Sequence, residues 1–206
     1  MKEGTGATRR SYRMTSRARA AEETGERILH AAAERFASMT FDEVTLADIA
    51  DGAGVTVQTV IRRFGSKEDL FSFLAERERA RIIEEREPIA SGGGSLETAV
   101  RSLVGHYEND GRTVINLLNQ ESRFPMIAEV IAEGRRIHES WVKEHCAPVL
   151  AGAADHEHKR VFEAAMAATD VYVWKLLRLD RGLSRGEVEE TMLALLEGLT
   201  RDPGGQ

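Results

Sequence analysis

Residues 45–64 read TLADIADGAGVTVQTVIRRF, which has the spacing of two short helices joined by a tight turn. Thr45 and Asp48 form a capping box at the start of the first helix, and the second can begin at Thr56. Gly54 stands where the chain must turn, because glycine accepts a positive φ at little cost. Three aliphatic side chains supply a small core between the helices: Ile49, Val55 and Val60. The stretch predicts a helix-turn-helix.

The second helix of this motif carries the predicted contacts with nucleic acid. Its first residues can enter a major groove, where Gln58 can hydrogen-bond an adenine and the methyl groups of Val57 and Thr59 can meet a thymine methyl. Basic residues toward its end are placed for phosphates. The predicted DNA-binding residues are Thr45, Thr56, Val57, Gln58, Thr59, Arg62, Arg63 and Lys67. The same pattern also fits an ordinary helical hairpin, so it does not by itself establish DNA binding.

Charge is unevenly distributed, although the net charge is −6. Residues 1–20 contain six basic residues and one acid, and residues 52–67 contain three basic residues and no acid. A basic N-terminal part with an acidic remainder would orient the protein on DNA, but a solvated basic tail has the same composition. The basic arm could reach a minor groove, and a disordered tail with only non-specific attraction is the preferred interpretation.

Helical spacing recurs along the chain and strand alternation is nearly absent, so we predict an all-α protein. The first helix is expected over about 22–38, and a longer one from Ser66 to about Glu87, where Pro88 would stop it. Further helices are predicted over about 96–109, 112–121, 125–147, 156–179 and 185–200. The predicted domains are a basic disordered arm over 1–21, a helix-turn-helix DNA-binding domain over 22–67, and a ligand-binding and dimerisation domain over 68–206.

Three segments of the N-terminal part resemble the TetR family of one-component repressors: VTLADIA from Val44, AGVTVQT from Ala53 and FGSKEDLF from Phe64. Residues 170–184 also resemble a C-terminal segment of one branch of that family. The resemblance implies a three-helix DNA-binding domain, a helical effector-binding domain and dimerisation through the last two helices. Thr40 replaces the usual glycine, and Ile61 replaces a tyrosine that touches phosphate, so Ile61 is not among the predicted site residues.

We therefore expect a homodimeric repressor that binds a palindromic operator in double-stranded DNA and is released by a small-molecule effector. The effector pocket should be mostly apolar with a few polar groups. Its candidate residues, each of which could instead be an ordinary core or surface residue, are Asn116, Gln120, His138, Trp141, Tyr172 and Trp174. The predicted dimerisation residues, which could also pack within one protomer, are Ala164, Ala168, Val188, Met192, Leu195 and Leu199.

Other classes of protein have less support in the sequence. The histidines near Cys146 lack the spacing of metal ligands, so no metal and no cofactor are expected. No nucleophile elbow, dinucleotide fingerprint or kinase motif occurs, and we predict that the chain is not an enzyme. A single cysteine, no secretory signal and no apolar run long enough for a bilayer favour a cytoplasmic protein without a membrane partner. The alternative is a helical interaction module or enzyme without DNA binding.

Overall fold

The computed structural model describes the backbone of residues 6–91, 94–154 and 156–199, and the side chains of residues 19–84, 94–154 and 156–199. The regular elements in these ranges are all helical, which confirms the predicted all-α fold class. The helices are α1 Gly6–Ser38, α2 Leu46–Ala53, α3 Val57–Phe64, α4 Lys67–Ser91, α5 Leu96–Leu118, α6 Pro125–His145, α7 Ala147–Ala151, α8 His158–Ala168, α9 Val171–Trp174 with a π-helical turn over Lys175–Asp180, and α10 Arg185–Gly198. Within the described ranges, no helix combines the length and the apolar character needed to cross a membrane.

The chain divides into two compact units, Met1–Glu78 and Arg79–Gln206. The division falls inside α4, so the N-terminal unit includes roughly the first three turns of that helix.

Three aromatic rings form the centre of the N-terminal unit. Phe36 stacks on Phe41 with ring centroids 5.8 Å apart, and Phe71 meets these two rings edge-on at 5.2 Å and 5.6 Å. Edge-on contacts between rings add to the stabilisation that burial alone supplies. Five aliphatic side chains of the same unit are also completely buried: Ile28, Val44, Ile49, Val60 and Leu70. The loop before α2 is thereby fixed between α1 and α4.

The starts of the short helices are set by local hydrogen bonds. The predicted capping box of Thr45 and Asp48 is present at α2, and Thr56 caps α3. Asp69 likewise accepts hydrogen bonds from the backbone and hydroxyl groups of Ser66, at 2.9 Å and 2.8 Å. Gly54 turns the chain after α2 with φ of 64°, in the left-handed region that glycine occupies most readily. These boundaries agree with the sequence because each depends on residues a few positions apart.

The core of the C-terminal unit lies between the helices α5 to α10. Its largest fully buried side chain is Trp174, whose indole contacts the backbone of α5 at Gly111. A β-carbon at Gly111 would lie 2.6 Å from Cζ3 of that indole. The two helices predicted over 96–109 and 112–121 are one continuous helix, α5. Gly111 does not end this helix; its missing side chain leaves room for the Trp174 ring.

Two other helices extend beyond their predicted ends. Helix α1 begins at Gly6, so it occupies most of the region predicted as a disordered arm. Residues 6–24 lack proline and contain many arginine, alanine and glutamate residues, which favour helix. Residues 1–5 and the side chains up to residue 18 lie outside the described part of the chain. Helix α4 continues past Pro88 to Ser91, three residues beyond the predicted stop.

The helix predicted over 156–179 is interrupted at Thr169 and Asp170. The hydroxyl of Thr169 donates to the Ala165 carbonyl at 2.8 Å, while Asp170 caps α9 by accepting the Tyr172 N–H at 2.8 Å. Side-chain hydrogen bonds of this kind compete with the helix for backbone partners. The π-helical turn that follows contains an ion pair between Lys175 and Asp180, five residues apart, at 2.7 Å. The predicted helix over 125–147 also ends early, at His145, with α7 following separately.

Most of the predicted dimerisation residues pack inside the protomer. Val188 and Met192 are completely buried inside the protomer and Ala168 of α8 is 8% exposed, so folding leaves these three residues little surface for a second copy. Leu199 is half-buried and packs against the same core, and Ala164 is half-buried on α8. Leu195 is the exception, because 46% of its surface is exposed.

The two glycines inside α5 and α6 provide a matched pair of stability tests. We expect Gly111→Ala to lower the free energy of unfolding by about 1–3 kcal/mol, because its new methyl group must displace Trp174 from a packed core. Gly134→Ala has no atom within 4 Å of the new carbon and should gain about 0.5–1 kcal/mol of helix stability. Urea denaturation measures both. Equal stability of the two variants would contradict the close packing at Gly111.

Candidate nucleic-acid interface

Helix α3 presents most of its surface outward. Val60 is its buried residue, and Gln58 and Arg62 lie roughly opposite Val60 around the helix axis. Val57 and Ile61 are 38% and 42% exposed on one flank of that outer face. An exposed helix with one buried anchor is the geometry required of a helix that enters a major groove.

The predicted contact residues Thr45 and Thr56 act first as helix caps. The Thr45 hydroxyl donates to Oδ2 of Asp48 at 2.5 Å, and the Thr45 backbone N–H donates to the same oxygen at 3.1 Å. These hydrogen bonds lower the pKa of Asp48. The Thr56 hydroxyl accepts the Thr59 N–H at 3.3 Å, and the hydroxyls of Thr56 and Thr59 are 2.9 Å apart. The caps thus fix the start and the direction of α3.

The neighbouring arginines of α3 point in different directions. Arg62 is exposed on the outer face, whereas the guanidinium of Arg63 lies on the backbone of α1 at Gly25. A β-carbon at Gly25 would be 2.6 Å from Cζ of Arg63. The same guanidinium lies 5.7 Å from the ring centroid of Phe64. The geometry therefore places Arg62, and not Arg63, on the side of α3 that faces away from the core.

A groove beside Arg63 is lined by charged and aromatic side chains of α1, α3 and α4. Within it, Arg77 makes two hydrogen bonds to the carboxylate of Glu26, at 2.9 Å and 2.8 Å. These bonds lower the pKa of Glu26, and the positive charge of Arg63 contributes to the same shift. Arg63 of α3 and Arg77 of α4 thus both contact α1.

Lys67 holds a loop of the protein in place, a role that the sequence did not indicate. Its Nζ donates to the carbonyl oxygens of Phe41 and Val44, at 2.6 Å and 2.8 Å, and lies 4.4 Å from the ring centroid of Phe41. The ammonium group therefore holds the loop between α1 and α2 against α4. Its partners are more than twenty residues away in the sequence, so no local motif could have predicted them.

In the C-terminal unit, a buried polar cluster joins α5, α6 and the end of α8. Thr169 is completely buried and lies 2.9 Å from Nε2 of His138. Since the Thr169 hydroxyl donates to Ala165, His138 donates its Nε2–H to that hydroxyl. The Tyr107 hydroxyl donates to the Thr169 carbonyl at 2.9 Å. Sequence reasoning identified His138 but missed Thr169 and Tyr107; a Thr-Asp pair after an alanine-rich helix is a helix-ending signal that could have indicated Thr169.

The remaining candidate effector residues occupy separate surroundings. Trp141 is buried beside His138, with ring centroids 6.4 Å apart, while Gln120 is buried and donates to the Asn116 carbonyl at 3.0 Å. Tyr172 is 51% exposed. The candidates thus comprise a His138–Trp141 pair, an Asn116–Gln120 pair, the exposed Tyr172 and the buried Trp174.

Trp174 is bound to a charged partner. Its Nε1–H donates to Oε1 of Glu108 at 3.0 Å, and Arg178 donates to the same carboxylate at 3.0 Å. Burial raises the pKa of Glu108, but the hydrogen bonds from Trp174 and Arg178 outweigh burial, so the pKa lies below its ordinary value. Glu108 therefore stays ionised at neutral pH and anchors the π-helical turn to α5.

The N-terminal unit, with its capped and outward-facing α3, has the architecture of a helix-turn-helix DNA-binding protein. Residues 28–73 match the family model of bacterial regulatory proteins of the tetR family. The N-terminal unit is therefore similar to the N-terminal part of tetR-family regulators, and this match covers less than half of the chain.

Solved structures resemble the fold over most of its length. A TetR-family transcriptional regulator from a Rhodococcus species has a TM-score of 0.62 and 17% sequence identity, covering 87% of this chain and 100% of its own. A transcriptional regulator from Rhodococcus sp. RHA1 has a TM-score of 0.63 and 16% identity, covering 86% of this chain and 98% of its own. Among curated proteins, no sequence matches the chain.

The placements of Lys67 and Arg62 predict different effects of removing each charge. Lys67→Met should lower the free energy of unfolding by about 1–3 kcal/mol, because it removes two charge-assisted hydrogen bonds to the α1–α2 loop. Arg62→Met should leave stability within about 0.5 kcal/mol and reduce the slope of log affinity against log salt by about 0.9 for each phosphate that the arginine neutralises. Chemical denaturation and DNA titrations at several salt concentrations measure both. A Lys67→Met variant as stable as the wild type would show that these hydrogen bonds do not stabilise the loop.

Proposed function

We propose that this protein is a repressor that binds a palindromic operator as a homodimer and is released from it by a small-molecule effector. The observation that carries the proposal is the outer face of α3, where Gln58 and Arg62 are exposed on a helix fixed by Val60 and its caps. That the regulation is repression, and not activation, is inferred from the resemblance to one-component repressors. A reporter gene placed behind the operator distinguishes repression from activation, since deleting the gene of a repressor raises expression of the reporter.

Gln58 is the residue of α3 best suited to read a base. Its amide offers a donor and an acceptor together, which matches the edge of adenine in the major groove. Arg62 lies one turn further along the same face and is suited to a phosphate, which fixes position but carries no sequence information. The two residues thus give DNA binding one specific and one non-specific component.

A mobility-shift assay with the DNA that lies upstream of the gene for this protein tests the proposal. Wild-type protein should retard this DNA in preference to unrelated duplex. Gln58→Ala should weaken binding and reduce discrimination at one base pair by about 1–3 kcal/mol, whereas Arg62→Met should weaken binding to all sequences alike. An unchanged ranking of operator variants with Gln58→Ala would remove its base-reading role. No preference for any duplex, including sequences selected from a random library, would refute operator binding.

Dimerisation through the C-terminal unit is supported by the apolar residues that folding leaves exposed. Tyr172 and Leu176 are about half exposed and lie four positions apart along α9 and the following turn, and Leu195 is exposed on α10. Ala194 and Gly198 flank Leu195 on the exposed side of α10. Small residues beside an exposed leucine allow two helices to approach closely. We infer that two copies pair through this side of α10, turned away from the predicted stripe.

Leu195→Glu should convert the dimer to monomers, because the carboxylate would be buried at the contact without a partner. The variant should remain folded, since Leu195 is exposed in the protomer. Met192→Glu places the same charge in the protomer core and should instead prevent folding. Sedimentation velocity and circular dichroism separate these results. A Leu195→Glu variant that remains dimeric at micromolar concentration would contradict this face as the contact.

The proposed effector site lies in the C-terminal unit near the polar cluster of His138, Thr169 and Tyr107, where aromatic surface adjoins hydrogen-bonding groups. The proposed route to DNA is α4, which is continuous from Lys67 to Ser91. In the C-terminal unit, Arg79 pairs with Glu133 of α6 at 3.2 Å, and Arg81 pairs with Asp110 of α5 at 2.6 Å. An effector that shifts α5 or α6 would act on α4 through these ion pairs. The tilt of α4 would then change the separation of the two recognition helices from the ~34 Å that one turn of DNA requires.

Arg81→Met should weaken the response to effector while leaving DNA binding by the free protein intact. With a compound identified by a thermal-shift screen, wild-type DNA affinity should fall by about 5-fold to 150-fold, the usual range of such coupling, and the variant should show a smaller factor. Arg101→Met, which removes a surface pair with Glu97 and a pair with Glu189 of α10, is the control and should respond as the wild type. An equal response of all three proteins would refute the Arg81 route. An unchanged spacing between spin labels at the two α3 helices would refute the tilt.

A further inference from the structure

Two branched aliphatic side chains on α3 remain exposed after folding. Val57 and Ile61 are 38% and 42% exposed, although the core of the N-terminal unit lies directly beneath α3. They are four positions apart and so lie on the same side of the helix, with Cβ atoms about 5–6 Å apart. Gln58 projects from the middle of the outer face next to them. The exposed face of α3 therefore has a polar centre and one apolar flank.

The position of this flank defines what can cover it. It is continuous with the face that carries Gln58 and Arg62, so a DNA duplex held by those residues also covers Val57 and Ile61. A side chain of Ile61 offers no hydrogen-bond donor to a phosphate and no partner to the polar edge of a base. The apolar group of the major groove is the 5-methyl group of thymine, which distinguishes thymine from the other three bases.

Thr59 does not share this position. It lies on the opposite flank of α3 and is half-buried, and its hydroxyl is 2.9 Å from that of Thr56. The sequence pattern paired Thr59 with Val57 as the contacts for a thymine methyl. In the folded helix, Val57 shares its flank with Ile61.

We propose that Val57 and Ile61 form an apolar reading edge that selects thymine, through its 5-methyl group, at base pairs next to the one read by Gln58. This inference rests on the proposed function, since it requires that α3 enters a major groove. Ile61 is then a specificity-determining residue. Because a step between base pairs is about 3.4 Å, the separation of the two side chains suits thymines one or two steps apart.

The test removes the 5-methyl group of thymine from the DNA and truncates the side chain of Ile61 in the protein. Duplexes that the protein selects from a random library are resynthesised with deoxyuridine in place of thymidine, one position at a time. At one or two positions per half-site, deoxyuridine should weaken binding by roughly threefold to fivefold, the loss expected for one buried methyl group. Ile61→Ala should weaken binding to the thymine duplex and abolish the deoxyuridine effect at one of these positions. Its salt dependence should equal that of the wild type, because Ile61 neutralises no phosphate.

Ile83→Ala is the matched control, since it truncates an isoleucine that is similarly exposed, at 41%, in α4. It should leave affinity and the deoxyuridine pattern unchanged. Deoxyuridine without effect at every half-site position would overturn the inference, as would selected half-sites that contain no thymine. An Ile61→Ala variant that loses affinity for thymine and deoxyuridine duplexes equally would also overturn it, because Ile61 would then support α3 without reading a base. Failure to select any duplex would refute the proposed function itself, and so is distinguishable from these outcomes.

Discussion

The burial of Val60 holds α3 in place, and the proposed interface with DNA depends on it. An eight-residue helix is too short to be stable alone in water, so its orientation must come from tertiary contacts and caps. Val60 supplies the contact, Thr56 the cap at one end and Gly65, with φ of 83°, the turn at the other. A residue with a side chain at Gly65 would also meet Asp69, whose Oδ2 lies 2.5 Å from the position of a β-carbon. The outward direction of Gln58 follows from these constraints.

The charged residues around α3 divide between holding the fold and facing outward. Lys67 binds carbonyl groups of the α1–α2 loop, and Arg63 lies on the backbone of α1, so each fixes an element on which α3 rests. Arg62 instead lies on the exposed face of α3. A cluster of basic residues in a sequence gives the total charge near a motif. It does not show which cations the fold uses, because that depends on partners such as Phe41 and Val44 that are distant in sequence.

The fold class and the helix-turn-helix could be predicted because their signals are local. The capping boxes at Thr45 and Ser184 depend on residues three positions away, and both are present. The longer helices were predicted less well, since their limits depend on packing. Gly111 lies inside α5, where its missing side chain leaves space for the Trp174 ring. At the end of α8, the Thr169 hydroxyl donates a hydrogen bond to the Ala165 carbonyl. No periodicity in the sequence distinguishes a glycine that ends a helix from one that admits a ring.

Interfaces with other molecules are hard to locate from sequence for a related reason. An apolar stripe indicates that a side chain avoids water, but the same stripe serves the interior of the protomer and a contact with another molecule. On α10, Val188 and Met192 take the first role, and Leu195 is left exposed. On α3, Val60 is buried while Val57 and Ile61 are not. The distinction appears only after folding, because a helix has one side that the core can cover. Large apolar side chains left outside that side mark where a second molecule can remove the remaining surface from water. The proposed second molecule is DNA for α3 and another copy of the chain for α10.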